Sequence, residues 1–372
     1  MMQLMSGISG TPVTPKIINE LNVQYILKTE MWLDEYIIRA QIASATGVQS
    51  FLAKYNALTK SEKIDFLLRA EVCEVLTSLY NGITPDRASI NIQIESMICI
   101  IDERVGRTHI EWTPEVRPEI VINDIVMLRG IEIDFGTPRA QRINHESSVS
   151  HLQPSPIDNG ERHKVLRQLD NALREIQHTS NTYYALIEAY ARVIIIRKNS
   201  MDMIASEQVS DAIGEISLLN PLHSLFSNQM LMETLIHEST HNYLSTFERL
   251  EFPFIMRGSE YRHNIRPTSL WSGRPIKSEP FIHAVFVYFS LFNFVKLQLD
   301  KSKKSAESAT IVNALQSNLN RLASGFLYPG KISHYVSYAC LIDPQVRICL
   351  DNMQAIVRSH VEHMARDSLA YV

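Results

Sequence analysis

The chain has 372 residues, of which 45% are hydrophobic and 20% charged, and its formal net charge is −4. This composition supplies enough apolar residues for a sizeable core and is typical of globular proteins. It argues against disordered, collagenous and coiled-coil classes, and its balance of charge offers no electrostatic footprint for nucleic acid or an anionic membrane. The length allows two domains or one large domain.

The expected compartment follows from the cysteines and the N-terminus. The four cysteines are scattered and include no CxxC pair, which argues against a disulfide framework or a thiolate zinc site and predicts a reducing cytoplasm. The first 16 residues lack a basic region followed by an apolar one, so we expect no secretory signal. The most apolar stretch, 281–295, is shorter than the roughly 20 residues of a spanning helix, so it predicts a buried core helix and no membrane partner.

The first half of the chain is predicted to be mainly helical. After a loose tail before Pro15, apolar residues recur at three- and four-residue spacing to about residue 106. Residues 119–143 are rich in Ile and Val with partial alternation, which predicts two strands joined near Arg129-Gly130. A Ser-, Pro-, His- and Asn-rich segment at 145–160 indicates a loop or a domain boundary.

The second half is predicted to be helical as well. Five helices are expected, at about 161–191, at 228–249, from Pro280, at 309–324 and at 344–366. The runs VIIIRK and EISLL predict two short strands around a turn near Lys198, and a turn is expected at Pro329-Gly330. The predicted fold is therefore mainly α with a minor β component (α+β). We expect an N-terminal helical region with a short β segment at 1–145 and a metal-binding region at 160–372, or one continuous domain.

The segment LIHESTHNYL carries the strongest chemical signal, an HExxH motif formed by His237, Glu238 and His241. Residues four apart share a helix face, so the two histidines can bind one metal ion. Zinc, iron and copper all accept neutral imidazole, so the pair alone does not choose the metal. Glu238 is rotated by about 100° from His237, beside the open side of such a metal. Two histidines on a surface or core helix face are the structural alternative.

A mononuclear site normally takes a third protein ligand. The extended motif HExxHxxGxxH is absent, because Leu244 and Phe247 stand where it requires Gly and His. His283, in the first turn of the apolar helix, is the first candidate. Glu279, one turn earlier, is the alternative and would complete a two-His-one-carboxylate triad. A core histidine bonded to a backbone carbonyl is the structural alternative for His283.

The segment between these helices holds Arg266-Pro267 and Arg274-Pro275, in which each arginine is kept extended by the following proline. Arginine forms bidentate pairs with carboxylates, so one of the two could hold an acidic cosubstrate, although a surface ion pair is the simpler interpretation. Trp271 would serve as a pocket wall or as a core anchor.

On these residues the chain resembles the HExxH-type peptide β-hydroxylases, the iron- and α-ketoglutarate-dependent enzymes of peptide natural-product gene clusters. The resemblance covers about residues 215–300 and rests on LIHESTHNYL and LWSGRPIKSEPFIHAVFVYFSLF. In the second segment Trp271, Arg274-Pro275 and His283 match the family's Trp, its Arg-Pro and the His that opens an apolar helix. The chain departs from the family pattern at Ser272-Gly273 and at Ala284.

The resemblance implies hydroxylation at a β-carbon of a residue in a ribosomally made precursor peptide. It implies an Fe(II) ion held by His237, His241 and His283, and α-ketoglutarate whose distal carboxylate pairs with Arg274. Glu238 would then orient water instead of acting as a peptidase base. The sequence does not identify the residues that bind the peptide, and Trp271 and Glu279 are the candidates.

Two other interpretations stay open. In a zinc metallopeptidase, Zn²⁺ would lower the pKa of its bound water towards about 7 and Glu238 would take the proton, with Glu279 or His283 as the third ligand. The third interpretation is a binding or scaffold protein with a degenerate site. GxGxxG, GxxxxGK[ST] and GxSxG are all missing from the chain. The hydroxylase is favoured because the segment from Trp271 to His283 fits no peptidase pattern.

Overall fold

The computed structural model describes residues 14–81, 85–103, 110–141, 155–200, 203–208, 211–256, 266–305, 307–336 and 342–370. The predicted N-terminal tail and most of the predicted loop at 145–160 therefore lie outside the described residues. Helix makes up 65% of the structure and a small five-stranded sheet accompanies it, so the predicted α+β class, mainly α with minor β, is confirmed.

The chain packs as two compact units. The first, here called the sheet unit, consists of Asn19–Arg174 and Ile187–Thr246. The second, here called the C-terminal unit, consists of Met1–Ile18, Glu175–Leu186 and Phe247–Val372. Both units are discontinuous in sequence.

Five helices precede the sheet: α1 (Pro15–Ile42), α2 (Val48–Ala57), α3 (Lys60–Leu67), α4 (Ala70–Tyr80) and α5 (Arg87–Glu103). Within the sheet unit they enclose an apolar core that includes the fully buried Phe51, Phe66 and Ile94. The start of α3 is fixed by a capping box, because the Thr59 hydroxyl accepts the Glu62 N–H and the Glu62 carboxylate accepts the Thr59 N–H.

The sheet contains β1 (Ile125–Leu128), β2 (Ile131–Asp134), β3 (Val193–Arg197), β4 (Ala205–Glu207) and β5 (Glu215–Leu219). The strand order is β1-β2-β3-β5-β4, with parallel pairing of β2 with β3 and of β3 with β5 and antiparallel pairing at both edges. The predicted hairpin turn is confirmed: Arg129 and Gly130 have φ angles of 51° and 78°, as a two-residue turn that follows the strand twist requires. The predicted strands VIIIRK and EISLL are confirmed as β3 and β5, and the edge strand β4 lies between them in the chain.

Two helices, α6 (Asn159–Thr179) and α7 (Asn181–Tyr190), replace the single long helix predicted at 161–191, with a break at Ser180. The later helices are α8 (Asn228–Leu250), α9 (Ser278–Lys304), α10 (Ala309–Ala323), the short α11 (Ile332–Tyr335) and α12 (Pro344–Ala370). The predicted positions of α8, α9, α10 and α12 are confirmed to within a few residues. The periodic apolar residues of these segments explain why they could be located from the sequence.

Helix α9 supplies much of the core of the C-terminal unit. Its side chains Phe281, Phe286, Phe292 and Phe294 are at most 1% exposed. By length and composition alone it is the one helix of the described residues that could cross a membrane, and 61% of its most apolar window is buried inside the structure. That burial fits the core helix that the sequence predicts.

Candidate metal centre

The HExxH motif lies in the part of α8 that belongs to the sheet unit. The ring centres of His237 and His241 are 4.9 Å apart, their planes are inclined at 55°, and both side chains are half-buried. Two imidazoles bound to one ion through bonds of about 2.1 Å have ring centres roughly 4.6–5.3 Å apart at tetrahedral or octahedral angles. The spacing of the two rings is therefore compatible with a shared metal ion.

The carboxylate of the motif is held by a neighbour on the sheet. Glu238 is only 4% exposed, and its Oε1 accepts a hydrogen bond of 2.6 Å from the hydroxyl of Ser206 on the edge strand β4. A buried carboxylate needs such a donor, because burial without a partner is costly. Sequence reasoning missed Ser206, since a strand of three residues with no apolar alternation gives no signal.

Asn242 fixes α8 against the rest of the sheet unit. Its side chain is fully buried, and its Nδ2 donates to the backbone carbonyls of Tyr190 at 2.8 Å and of Glu215 at 3.3 Å. Its Oδ1 accepts from Nε2 of Gln208 at 3.0 Å. Asn242, which directly follows His241 in α8, therefore connects this helix to Tyr190 at the end of α7, to Glu215 at the start of β5 and to Gln208 after β4.

Glu215, the first residue of β5, belongs to an ionic cluster. The Glu215 carboxylate is buried and accepts a hydrogen bond of 2.6 Å from Nε of Arg139, whose guanidinium also contacts Glu74 at 2.9 Å and Glu71 at 3.9 Å. Burial raises the pKa of Glu215 to about 7, and the Arg139 charge opposes that rise only in part. Burial therefore favours the protonated carboxyl of Glu215 below about pH 7, and the charges of Glu71 and Glu74 add to the effect.

His283 belongs to the C-terminal unit and is 6% exposed in the second turn of α9. Its Nε2 lies 2.8 Å from Oε2 of Glu248, the last residue but two of α8, in the same unit. Nε2 of His283 is thus paired with a carboxylate. Glu248 was missed from the sequence, although its position seven residues after His241 places it on the same face of α8.

Two further predicted residues, Glu279 and Arg274, are exposed. Glu279 lies in the first turn of α9. Arg274 has its backbone fixed by the bridge between Thr268 and Pro275, and its guanidinium forms no ion pair with any residue that the structure describes. An exposed guanidinium of this kind is accessible to an acidic small molecule.

Trp271 is anchored in the C-terminal unit. Its ring stacks on Tyr288 with 4.2 Å between ring centres and an angle of 8° between the planes, and its Nε1 donates to the Leu322 carbonyl at 2.9 Å. Gly325 approaches the indole so closely that an added Cβ would lie 2.3 Å from the ring. Of the two roles considered for Trp271, these contacts support the core anchor.

Within the residues that the structure describes, no three His, Cys, Asp or Glu side chains are grouped so that they could hold a metal ion. The described motif is therefore a pair of neighbouring histidines with a fixed carboxylate next to it. The chain matches no protein-family model and no curated protein sequence.

Proposed function

We propose that the protein is an Fe(II)- and α-ketoglutarate-dependent oxygenase that hydroxylates a β-carbon of a residue in a ribosomally made precursor peptide, in the cytoplasm. The observation that carries the proposal is the 4.9 Å spacing of the His237 and His241 rings on one face of α8. Iron accepts imidazole ligands, so the donor set fits it. The sequence resemblance supplies the choice of iron and α-ketoglutarate.

His237 and His241 would hold the iron, and His283 stays the predicted third ligand. Bound iron would supply the activation of O₂ for a reaction in which α-ketoglutarate is oxidised to succinate and CO₂, with one oxygen atom entering succinate and the other the peptide. The exposed guanidinium of Arg274 would bind the distal carboxylate of α-ketoglutarate. That contact orients the cosubstrate and leaves its keto acid end for the metal.

The orientation of the Glu238 carboxylate is set by its hydrogen bond with Ser206. The hydroxyl of Ser206 holds Oε1 of the carboxylate at 2.6 Å, so Glu238 keeps one orientation next to the two histidines. In an oxygenase this carboxylate would accept hydrogen bonds from water at the site. In a zinc peptidase the same buried carboxylate would remove the proton from the attacking water, which is the observation that favours this second function.

The first test requires no knowledge of the peptide. Protein purified without oxygen is loaded with Fe(II), and α-ketoglutarate is added while the visible absorbance is recorded. A charge-transfer band and slow formation of succinate after O₂ is admitted are expected, and both should disappear in the double variant His237→Ala/His241→Ala. If the double variant binds as much metal as the parent protein, the site is degenerate and the binding-protein interpretation replaces the proposal.

The second test separates the oxygenase from the peptidase. The Fe(II) protein and the Zn²⁺ protein are each incubated with a random-sequence peptide library, and the products are analysed by mass spectrometry. Added oxygen in the peptides, with succinate in equal amount, is expected for the Fe(II) protein with α-ketoglutarate. Peptide cleavage by the Zn²⁺ protein, with no succinate from the Fe(II) protein, would overturn the proposal in favour of a metallopeptidase.

A further inference from the structure

The accessible side chains of α8 form a single row. From Met230 to Thr246, a stretch that the structure describes throughout, all side chains are buried except those of Met230, Glu233, Thr234, His237 and His241. At about 100° per residue, these positions lie within an arc of about 100° on the helix surface. The row, here called the open row, belongs to the sheet unit. A substrate that approaches the two histidines along α8 therefore meets the open row.

The end of the open row away from the histidines is apolar. Met230 is 40% exposed, and Leu225, in the turn that precedes α8, is 65% exposed. The turn is joined to the helix here, since the backbone N–H of Met230 donates to the Ser227 hydroxyl at 3.2 Å. A methionine side chain is unbranched and polarizable, so it adapts to apolar partners of different shapes. This end of the open row therefore suits an aliphatic or aromatic side chain of a substrate.

The length of the open row matches a short extended peptide. Nine residues separate Met230 from the level halfway between His237 and His241, and that interval corresponds to a rise of about 13.5 Å along the helix. An extended chain rises about 3.3 Å per residue, so four of its residues cover about 13.2 Å, and side chains four residues apart point to the same side. An extended peptide with one side chain opposite the histidine pair therefore places the fourth side chain beyond it opposite Met230.

We propose that Met230 determines substrate specificity, and that the substrate is an extended peptide in which the fourth residue on one side of the modified residue is apolar and contacts Met230. The position of the modified residue opposite the histidines rests on the proposed function. The contact between an apolar peptide residue and Met230 does not, and it is measurable in metal-free protein. Because the methionine side chain is adaptable, several aliphatic and aromatic residues should be accepted at this position.

The sequence preference is measured with the Fe(II) protein, α-ketoglutarate and a random peptide library, and hydroxylated products are sequenced by mass spectrometry and aligned on the modified residue. We expect apolar residues to be enriched at least about fourfold at the fourth position on one side, the effect of one buried methylene group. Met230→Glu should instead enrich Lys and Arg there, and a Glu in the first turn suits the helix dipole, so the variant should fold. Met31→Glu, at an exposed position of α1, is the matched control and should keep the parent preference.

Binding is measured separately on the metal-free protein, with peptides selected from a displayed random library. The selected peptides should share an apolar position, Met230→Glu should bind them about tenfold more weakly, and a Lys at that position should restore the affinity. A purely structural role of Met230 would not produce this reversal. Equal affinities and an unaltered sequence preference in Met230→Glu would overturn the inference and leave the proposed function intact. Reversal of binding without any hydroxylated product from the parent protein would overturn the proposed function and leave the contact with Met230 in place.

Discussion

Ser206 and Glu238 are joined by a hydrogen bond of 2.6 Å, so the edge strand of the sheet holds the carboxylate of the HExxH motif. Both residues belong to the sheet unit. The contact gives the motif a fixed acid in addition to its two histidines. It also places the three-residue strand β4 in contact with the motif.

Ser206→Ala is expected to reduce activity more than metal binding. The substitution removes the donor to a buried carboxylate, and a hydrogen bond to a charged group contributes about 1.5–3 kcal/mol. We expect a loss of about that size in the free energy of unfolding in urea and a lower rate of succinate formation, with the metal content unchanged. Ser200→Ala, at an exposed position, is the control and should change neither quantity.

Asn242→Ala is expected to destabilise the sheet unit. It removes the donor to the buried carbonyls of Tyr190 and Glu215 and the acceptor for the half-buried amide of Gln208. Each unsatisfied buried group costs about 1–3 kcal/mol. Urea unfolding should show a loss of at least about 2 kcal/mol, and Asn242→Asp should lose more because it also buries a charge. A loss below 0.5 kcal/mol in either variant would contradict the anchoring role of Asn242.

The Glu215 cluster predicts a stability that depends on pH. The pKa of Glu215 is raised to about 7 in the folded state by burial, against an ordinary value of 4.5, so the folded protein holds more protons than the unfolded chain between these pH values. The contribution of Glu215 to stability is therefore fully present below about pH 4.5 and is lost as the pH rises through 7, with a slope of at most about 1.4 kcal/mol per pH unit.

The pH dependence of stability attributed to Glu215 is tested by urea unfolding of the parent protein and of Glu215→Gln at several pH values. The isosteric amide does not titrate, so the variant should lack the fall between pH 4.5 and 7 that the parent shows. Both proteins retain the neighbouring charges of Arg139, Glu71 and Glu74, so these groups contribute to the pH dependence of stability in both. Equal slopes in the two proteins would show that another group is responsible.

The parts of the fold that the sequence predicts are those with strong local signals. Helix α8 and helix α9 have periodic apolar residues, and the hairpin at Arg129-Gly130 has a turn whose positive φ angles suit its residues. The parallel pairing of β3 with β5 could not be predicted, because it depends on contacts between distant segments. Strand β4 gave no signal, since its three residues Ala-Ser-Glu are exposed or half-buried.

The candidate site also combines residues that a local motif predicts with residues that only tertiary packing brings together. The HExxH spacing alone places His237 and His241 on one helix face, because the helical period is fixed. The partners of the site residues, Ser206 for Glu238 and Glu248 for His283, come from tertiary packing, and neither carries a motif. The two packing units could not be predicted, because each joins segments that are distant in the sequence.

Gly325→Ala is expected to disrupt the Trp271 anchor. An added Cβ would lie 2.3 Å from Cε2 of the indole, and the indole is held by stacking on Tyr288 and by its hydrogen bond to Leu322. Because the ring cannot move without losing these contacts, we expect a loss of roughly 1–3 kcal/mol or more in the free energy of unfolding. Gly160→Ala, whose added Cβ would lie 3.3 Å from the Asp158 side chain, is the milder control.

His237→Ala and His241→Ala are each expected to lower Fe(II) affinity at least 100-fold, because the structure pairs the two rings at the spacing of ligands that share one ion. Isothermal titration without oxygen measures the affinity, and elemental analysis of purified protein measures occupancy. His178→Ala, at an exposed position on α6, is the matched control and should bind iron like the parent protein. If removal of one histidine leaves the affinity unchanged, the pair is a structural feature of α8. If both variants lose iron and His178→Ala does not, the face of α8 that carries the HExxH motif is the metal site.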